Sequence, residues 1–335
     1  MSNHVYFVAE ISANHLGSLT RAHELIKLAS EAGASAVKLQ TYKPETMTLP
    51  LREFAVSQDH DLWGGVSLFQ LYKEAMTPWE WHKELFEHAN ELGMEAFSSP
   101  FDITAVDFLE QLHCPVYKIA SMETGDIDLI SYVASKRKRM IISTGASTLE
   151  EIRIAVKAAG VVRDHLTLLV CTSSYPAKPQ DAHLKRIKTL KEEFGLDVGL
   201  SDHTLGIGVS VAAIALGATV IEKHFTFKRN DGGHDAAFSL EPDEFHLLVE
   251  EGNRAYEALG LPVWSMQESE AESRRLRRSL YIATAVKKGQ VATRDNIKSL
   301  RPNLGGPISG LSAILGKRFK SDFVAGDAAT VDCVE

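Results

Sequence analysis

The sequence predicts an α/β fold, a (β/α)8 TIM barrel with a small C-terminal β-rich domain appended. Three observations lead there. Apolar runs of strand character recur about eight times, with amphipathic helical stretches between them. Polar residues repeatedly close those runs: Glu10 after TyrPheValAla, Lys38 and Gln40 in AlaValLysLeuGln, Lys118 and Ser121 in ValTyrLysIleAlaSer, then Ser143, Ser173, His203 and His224 in later ones. Such barrels keep their chemistry at the C-terminal strand ends, so this placement marks an active site. Past residue 276 the chain changes to short pieces broken by Gly and Pro, as in LysLysGlyGln and LeuArgProAsnLeuGlyGlyPro.

The first strand covers residues 5–12 and leads through AsnHisLeuGly into a helix over 19–32, stopped by Gly33. The second strand, 36–42, is followed by an excursion over 43–77 that holds Pro44, Pro50 and TrpGlyGly at 63–65. Loops of that length on a catalytic face commonly carry substrate contacts or a lid. ThrProTrpGlu opens the next helix, with Thr77 expected as N-cap, Pro78 at N1 and Glu80 at N3. Strand–helix pairs continue to an eighth strand near 218–226. A loop with GlyGlyHisAsp (232–235) follows, and a helix over 242–258 closes the barrel. The expected domains are a catalytic barrel over 1–260, a polar linker over 261–276 and a β-rich domain over 277–335. The last is barely large enough for a core and is expected to lean on a barrel.

A length of 335 residues suits one large catalytic unit with an appendage. A net charge of -8 with no Lys/Arg stripe argues against nucleic acid as the main partner. The dense basic patch Arg274, Arg275, Arg277 and Arg278 follows Glu268, Glu270 and Glu272, and reads as the charged face of a linker helix. No apolar run approaches the roughly 20 residues of a membrane span, and no signal peptide precedes the first strand, so a cytoplasmic location is expected. Cys114, Cys171 and Cys333 are far apart, which points to neither disulfides nor a thiolate metal site.

Side chains two apart on a strand share a face. Ser201 and His203 therefore point together from the seventh strand and Glu222 and His224 from the eighth, with neighbouring strands about 4.8 Å apart. The two imidazoles can converge on one divalent metal, and a carboxylate such as Glu10 could complete or orient its shell. Lys38 and Lys118 sit inside apolar strands, where an ammonium is costly unless something anionic meets it. Three roles are open to them: an ion pair with Glu10 or Glu123, a Schiff-base nucleophile, or a clamp for an anionic substrate. Hydroxyls at Ser98, Ser99, Ser121, Ser143, Thr144, Ser173 and Ser201 favour the clamp, because a phosphate and a carboxylate together need several donors. Asn14, His15, Gln40 and Tyr175 top their strands and could bind a polar ligand, cap or pack. Trp63 could stack on a sugar ring, whereas Trp79 and Trp81 are expected in the core.

AlaGluIleSerAlaAsnHisLeuGly (9–17), LysLeuGlnThr (38–41), TyrLysIleAlaSer (117–121), SerThrGlyAla (143–146), SerAspHisThr (201–204) and GluLysHisPheThr (222–226) resemble the sialic acid synthase family. AlaValLysLysGlyGln and ArgProAsnLeuGlyGly near the C-terminus are similar to the SAF, or antifreeze-like, domain of those synthases. The resemblance runs through the whole chain. It implies condensation of phosphoenolpyruvate with an amino sugar to a nine-carbon 2-keto-3-deoxy acid, with a divalent metal (Mn2+, Mg2+ or Co2+) as Lewis acid on the sugar aldehyde. Within the family, TrpGlyGlyValSerLeuPheGlnLeuTyr (63–72), ThrProTrpGluTrpHis (77–82) and AlaPheSerLeuGluPro (237–242) are most similar to the branch whose acceptor is 2,4-diacetamido-2,4,6-trideoxy-L-altrose. They are less similar to the branches that make N-acetylneuraminate or legionaminate. The implied pathway leads to a bacterial surface glycan.

Position by position, the resemblance implies His203 and His224 as metal ligands. It implies Lys38, Ser99, Lys118, Ser121, Ser173 and Ser201 as the phosphoenolpyruvate pocket, and Glu10, Glu222 and Lys118 as catalytic groups. Gln40, Tyr175 and Asp235 match positions lining the sugar. Ser173 departs from the Asn that many members carry there. Arg301 matches an SAF arginine that reaches the sugar in the other protomer, which implies a domain-swapped homodimer without nucleic acid or membrane partners. Two rivals come from other classes: a Schiff-base pyruvate aldolase using Lys118, and a non-catalytic sugar-binding protein built around the C-terminal domain.

Overall fold

The computed structural model describes residues 5–58 and 62–335, so residues 59–61 of the long excursion lie outside the described residues. The chain forms two compact units, residues 1–260 and 261–335. In the first, eight parallel strands close into a barrel in sequence order: β1 (Tyr6–Glu10), β2 (Ala36–Thr41), β3 (Glu95–Pro100), β4 (Val116–Ile119), β5 (Arg139–Ser143), β6 (Leu166–Cys171), β7 (Asp197–Asp202) and β8 (Val220–His224). β8 returns to β1 with His224 opposite Glu10. Because every pair is parallel, all eight C-terminal ends open on one face, and the polar residues that close the runs meet there.

Helices between the strands start where the sequence supplies a cap. The Ser18 hydroxyl accepts the Arg21 amide ahead of Leu19–Glu31, and Asp102 accepts the amides of Thr104 and Ala105 ahead of Ile103–Gln111. Thr148 and Glu151 form a reciprocal capping box ahead of Leu149–Ala158. The first of these helices buries one apolar stripe, formed by Ala22, Leu25, Ile26 and Ala29. Burying each large apolar side chain contributes roughly 1.5–3 kcal/mol. Where β7 meets β8 the fit requires Gly199: a Cβ there would lie 2.3 Å from the Val220 carbonyl oxygen and 2.7 Å from Leu169 Cδ2.

The expected N-cap at Thr77 is not formed. The chain first makes a 3-10 turn, Trp79–Trp81, and the helix begins at His82 (His82–Glu91). Thr77 is buried, with Oγ1 3.4 Å from Nε2 of His15. Packing overrides the cap signal here: Trp79 stacks on Phe108 at 4.6 Å between ring centroids and donates its indole N–H to the Tyr42 carbonyl. The excursion over 43–77 carries two helical pieces, Pro44–Met47 and Leu68–Ala75, and an antiparallel bridge between Ala55 and Ser67.

In the second unit, part of the segment read as linker is the helix Ala271–Arg275, with Arg275 paired to Glu272. β9 (Ser279–Ile282) and β10 (Ile297–Leu300) form an antiparallel pair. The unit has its own small core, in which Leu280, Ile282, Val286, Ile297, Ile314 and Phe319 pack together. Among the described residues no helix is long and apolar enough to cross a membrane.

Candidate active site

Four buried charges meet inside the barrel mouth. Glu10 and Lys38 are register partners across β1 and β2, while Lys118 and Glu222 come from β4 and β8. Lys38 Nζ lies 2.6 Å from Glu10 Oε2 and 3.5 Å from Glu222 Oε1, and Lys118 donates to Glu222 Oε1 at 3.2 Å. The Glu10–Lys38 contact is close but not aimed as a hydrogen bond. Of the roles open to the lysines, the ion pair is therefore realised, with Glu10 and Glu222. Glu123 instead keeps one buried carboxyl oxygen without a hydrogen-bond partner among the described residues.

Burial opposes all four charges, and pairing decides among them. Against burial, Glu10 and Glu222 hold Lys38 above the ordinary lysine value. Against burial, Lys118 and Lys38 hold Glu222 down to about 2. For Glu10 burial outweighs the pull of Lys38, and its carboxyl is raised. For Lys118 burial outweighs Glu222, and its ammonium is lowered.

Hydroxyls surround this quartet. Lys38 donates to Ser99 Oγ at 3.4 Å, and Ser201 donates to Glu222 Oε1 at 3.0 Å. Ser121 Oγ accepts the Gly145 amide at 3.1 Å. A Cβ on Gly145 would fall 2.3 Å from Ser173 Oγ, 2.7 Å from Ser121 Oγ and 3.2 Å from Cys171 Sγ, so these three side chains line one cradle under the backbone. Ser143 is buried, and among the described residues its hydroxyl has no hydrogen-bond partner. Two expected members of the basket are elsewhere. Strand alternation turns Ser98 to Thr41 Oγ1 (2.6 Å) and the Leu39 carbonyl, and Thr144 donates to the Leu169 carbonyl.

His203 and His224 stand with ring centroids 5.3 Å apart. Nδ1 of His203 donates to the Thr172 carbonyl at 3.0 Å, and Nδ1 of His224 lies 3.1 Å from Ser12 Oγ. Among the described residues neither Nε2 has a protein hydrogen-bond partner. Burial, with His203 alongside, pushes His224 well below the ordinary value, so its imidazole is neutral. Among the described residues no three His, Cys, Asp or Glu side chains gather as a metal cage. Against burial, Cys171 and the Thr172 carbonyl hold His203 above the ordinary value. Two imidazoles suit a divalent ion that keeps its other positions for water and substrate, and do not suit a closed structural zinc site.

Around this centre, Gln40 donates to Glu10 Oε1 at 3.0 Å, and Tyr175 packs 4.5 Å from His203 and 5.9 Å from Trp63. Trp63 donates its indole N–H to the His234 carbonyl, and Asp235 Oδ2 accepts the Ala13 amide at 3.4 Å. The His234 ring lies 3.3 Å from Glu74 on the long excursion. Asn14 and His15 hold loops together: Asn14 donates to the Phe225 carbonyl and to Ser239, and His15 meets Trp81 edge-on. Arg301 is exposed in the second unit.

Sequence reasoning missed three residues of the site. Cys171, at the end of β6, was visible by position alone; burial raises a thiol, but His203, Ser121 and Lys118 bring this one to about 7. Gly145 shows its value only once two strands approach. Ser12, which follows β1 beside His224, carries no signal for the left-handed backbone (φ +42°) it adopts.

A closed barrel whose strand ends bring lysines, carboxylates and imidazoles together is a TIM-barrel enzyme with its active site at that face. Residues 25–263 match the NeuB family and residues 277–335 the SAF domain. The chain belongs to the NeuB family, as its motifs indicated. It is 40% identical over 328 residues to the pseudaminic acid synthase of Campylobacter jejuni strain 81-176, covering 97% of this chain and 95% of that one. It is 41% identical over 330 residues to the pseudaminic acid synthase of Helicobacter pylori, covering 98% and 97%. The N-acetylneuraminic acid synthetase of Leptospira borgpetersenii, solved in complex with citrate, has a similar structure with a TM-score of 0.73 at 32% identity, over 81% of this chain and 90% of its own.

Proposed function

We propose that the chain acts as a pseudaminic acid synthase, condensing phosphoenolpyruvate with 2,4-diacetamido-2,4,6-trideoxy-L-altrose to give pseudaminic acid and phosphate. The observation that carries this reading is the Glu10–Lys38–Glu222–Lys118 quartet set beside the Ser121–Ser173 cradle and two imidazoles, in a chain whose full-length relatives bear that name.

Phosphoenolpyruvate brings a carboxylate and a phosphate. Lys38 and Lys118 hold these anions, with Ser99, Ser121, Ser173 and Ser201 as neutral donors. Fixing C3 against the sugar's aldehyde carbon is an orientation effect. C3 attacks that carbon, forming the new C–C bond, and positive charge develops at C2. Glu222, whose charge is kept by the two ammoniums, faces that charge. Water adds at C2 and gives one proton to Glu10, while the aldehyde oxygen takes up a proton from solvent. The C2–O bond to phosphate then breaks, phosphate leaves with the electron pair and takes the second water proton, and the oxygen from water becomes the ketone. His203 and His224 would hold a divalent cation (Mn2+, Co2+ or Mg2+), which when bound supplies Lewis-acid polarisation of the sugar carbonyl. Gln40, Tyr175 and Asp235 are assigned to the sugar. Arg301 is assigned to the sugar of a partner's barrel in a homodimer that exchanges C-terminal domains.

The test is phosphate release from phosphoenolpyruvate with the trideoxy-altrose, N-acetylmannosamine and the legionaminate precursor, each with EDTA or added Mn2+. Release is expected with the trideoxy-altrose alone and to require the metal. Faster release with either other sugar would reassign the chain to N-acetylneuraminate or legionaminate synthesis. In isotopically labelled water the label is expected in the ketone; label in phosphate would overturn C–O cleavage. A borohydride-trapped pyruvate adduct on Lys118 would favour the aldolase.

A further inference from the structure

Three aromatic rings lead outward from the paired imidazoles. Phe238 is fully buried, with its ring centroid 4.9 Å from His224 and 5.2 Å from Tyr175. Tyr175 lies 4.5 Å from His203, and Trp63 lies 5.9 Å beyond Tyr175, tilted 45° to its plane. Phe238 closes the inner end of this wall, whereas Tyr175 and Trp63 are half-buried and keep part of their surface open. Trp63 is not part of the barrel; the excursion after β2 carries it there. Two contacts tie that excursion to the loop after β8. The Trp63 indole N–H donates to the His234 carbonyl at 3.1 Å, and the His234 ring lies 3.3 Å from Glu74, further along the excursion. An indole has a single polar hydrogen, and the carbonyl takes it, so what Trp63 offers a ligand is hydrocarbon.

Resting on the acceptor reading given above, we propose that Trp63 is a specificity-determining residue. It packs against the far end of the sugar and selects a C6 methyl where other amino sugars carry a hydroxymethyl group. The orientation follows from the reacting end. The aldehyde carbon must meet C3 of phosphoenolpyruvate, which Lys38 and Lys118 hold inside the mouth, so the rest of the sugar chain runs outward. Its last carbons then pass Tyr175 and come to Trp63. A methyl group laid on an indole leaves water at no polar cost. A hydroxyl pressed on the same surface loses its water without gaining a partner. Binding sites of this kind combine an apolar wall with a few placed polar groups. Here one loop supplies both, because the His234 carbonyl seats Trp63 and the next residue is Asp235, the carboxylate assigned to the sugar.

Two substitutions separate a substrate contact from an anchor for the excursion. Trp63→Phe keeps an aromatic face and loses the donor to His234, whereas Trp63→Gln keeps an N–H donor and loses the face. Steady-state kinetics of the full-length protein are measured with phosphoenolpyruvate and either the trideoxy-altrose or N-acetylmannosamine. Trp63→Gln is expected to raise KM for the trideoxy-altrose roughly 10- to 100-fold, the range for a lost apolar contact in a pocket. Its kcat/KM for N-acetylmannosamine and its KM for phosphoenolpyruvate are expected to stay within about twofold, small beside that range. An unchanged KM for phosphoenolpyruvate also shows that the variant has folded. Trp63→Phe is expected to keep the parent's preference between the two sugars. An unchanged KM for the trideoxy-altrose in Trp63→Gln overturns the proposal, as do equal losses with both sugars. Trp63→Phe as impaired as Trp63→Gln also overturns it, because the indole would then serve as an anchor through its N–H. A parent protein that prefers N-acetylmannosamine, or turns over neither sugar, overturns the acceptor reading itself, a result that is seen before any variant is made.

Discussion

Asp202 and Lys223 stand opposite each other in the β7–β8 ladder, and their side chains meet at 2.9 Å in a fully buried ion pair. Each precedes one of the two imidazoles by a single residue, so alternation places the pair on the other face of the sheet from His203 and His224. Lys223 also donates to the Thr204 carbonyl. Asp202 accepts from the Thr204 amide and hydroxyl and from Ser210 Oγ at 2.6 Å. The pair joins the two strand ends that carry the histidines.

Removing one partner leaves the other charge buried. Lys223→Met is expected to lower stability by about 3–5 kcal/mol, read as a fall in the urea midpoint. Asp202→Asn combined with Lys223→Met removes both charges and is expected to recover much of that loss. A single Lys223→Met variant as stable as the parent would show that the pair does not hold the strands.

The quartet at the mouth predicts an asymmetry between its lysines. After Lys118→Met, Glu222 still has Lys38 at 3.5 Å, whereas after Lys38→Met, Glu10 keeps, among the described residues, only the amide of Gln40 as a hydrogen-bond partner. Lys38→Met is therefore expected to be the less stable variant, by about 1–3 kcal/mol. Both are expected to raise KM for phosphoenolpyruvate at least ~10-fold if each ammonium meets a substrate anion. Steady-state kinetics beside urea melts would separate the two effects, and an unchanged KM in either variant would remove that lysine from the substrate.

The barrel was legible because its signal is repeated: apolar runs ending in Glu10, Lys38, Lys118 and His224 each mark the same face of the molecule. The need of two buried lysines for anions was legible too, but not whether protein or ligand supplies them; Glu10 and Glu222 are distant in sequence, and only closure of β8 on β1 brings them in. Ser98 and Ser99 looked alike because a one-residue difference in register exchanges the faces of a strand. The cap signal at Thr77 was real, and tertiary packing of Trp79 outweighed it. Ser12 was beyond reach, since nothing in the sequence marks this serine for the left-handed backbone (φ +42°) it adopts after β1, beside His224.

Glu123 predicts a pH dependence with a definite sign. Burial raises its carboxyl from 4.5 to about 7. The folded chain therefore holds that proton more tightly than the unfolded chain. The stability involved is full below pH 4.5 and is lost as pH rises through about 7, by at most about 3 kcal/mol. Glu123→Gln is expected to leave the urea midpoint unchanged near pH 4 and to raise it near pH 8. Parallel midpoints for the two proteins across that range would place the titration elsewhere.

Gly145 predicts a loss of substrate affinity without a loss of fold. It carries no left-handed φ, so alanine is tolerated by the backbone, but the new methyl would enter the cradle 2.3 Å from Ser173 Oγ and 2.7 Å from Ser121 Oγ. Both hydroxyls must turn or withdraw, and Ser121 must give up the Gly145 amide it now accepts. If these hydroxyls hold the anions of phosphoenolpyruvate, losing one or two charge-assisted hydrogen bonds at about 1.5–3 kcal/mol each raises KM for it roughly 10- to 100-fold. If the sugar is held instead by Gln40, Tyr175 and Asp235, its KM is expected to stay within about twofold, a difference small beside one lost hydrogen bond. Gly145→Ala enzyme with an unchanged KM for phosphoenolpyruvate would show that the cradle lies outside the substrate's reach.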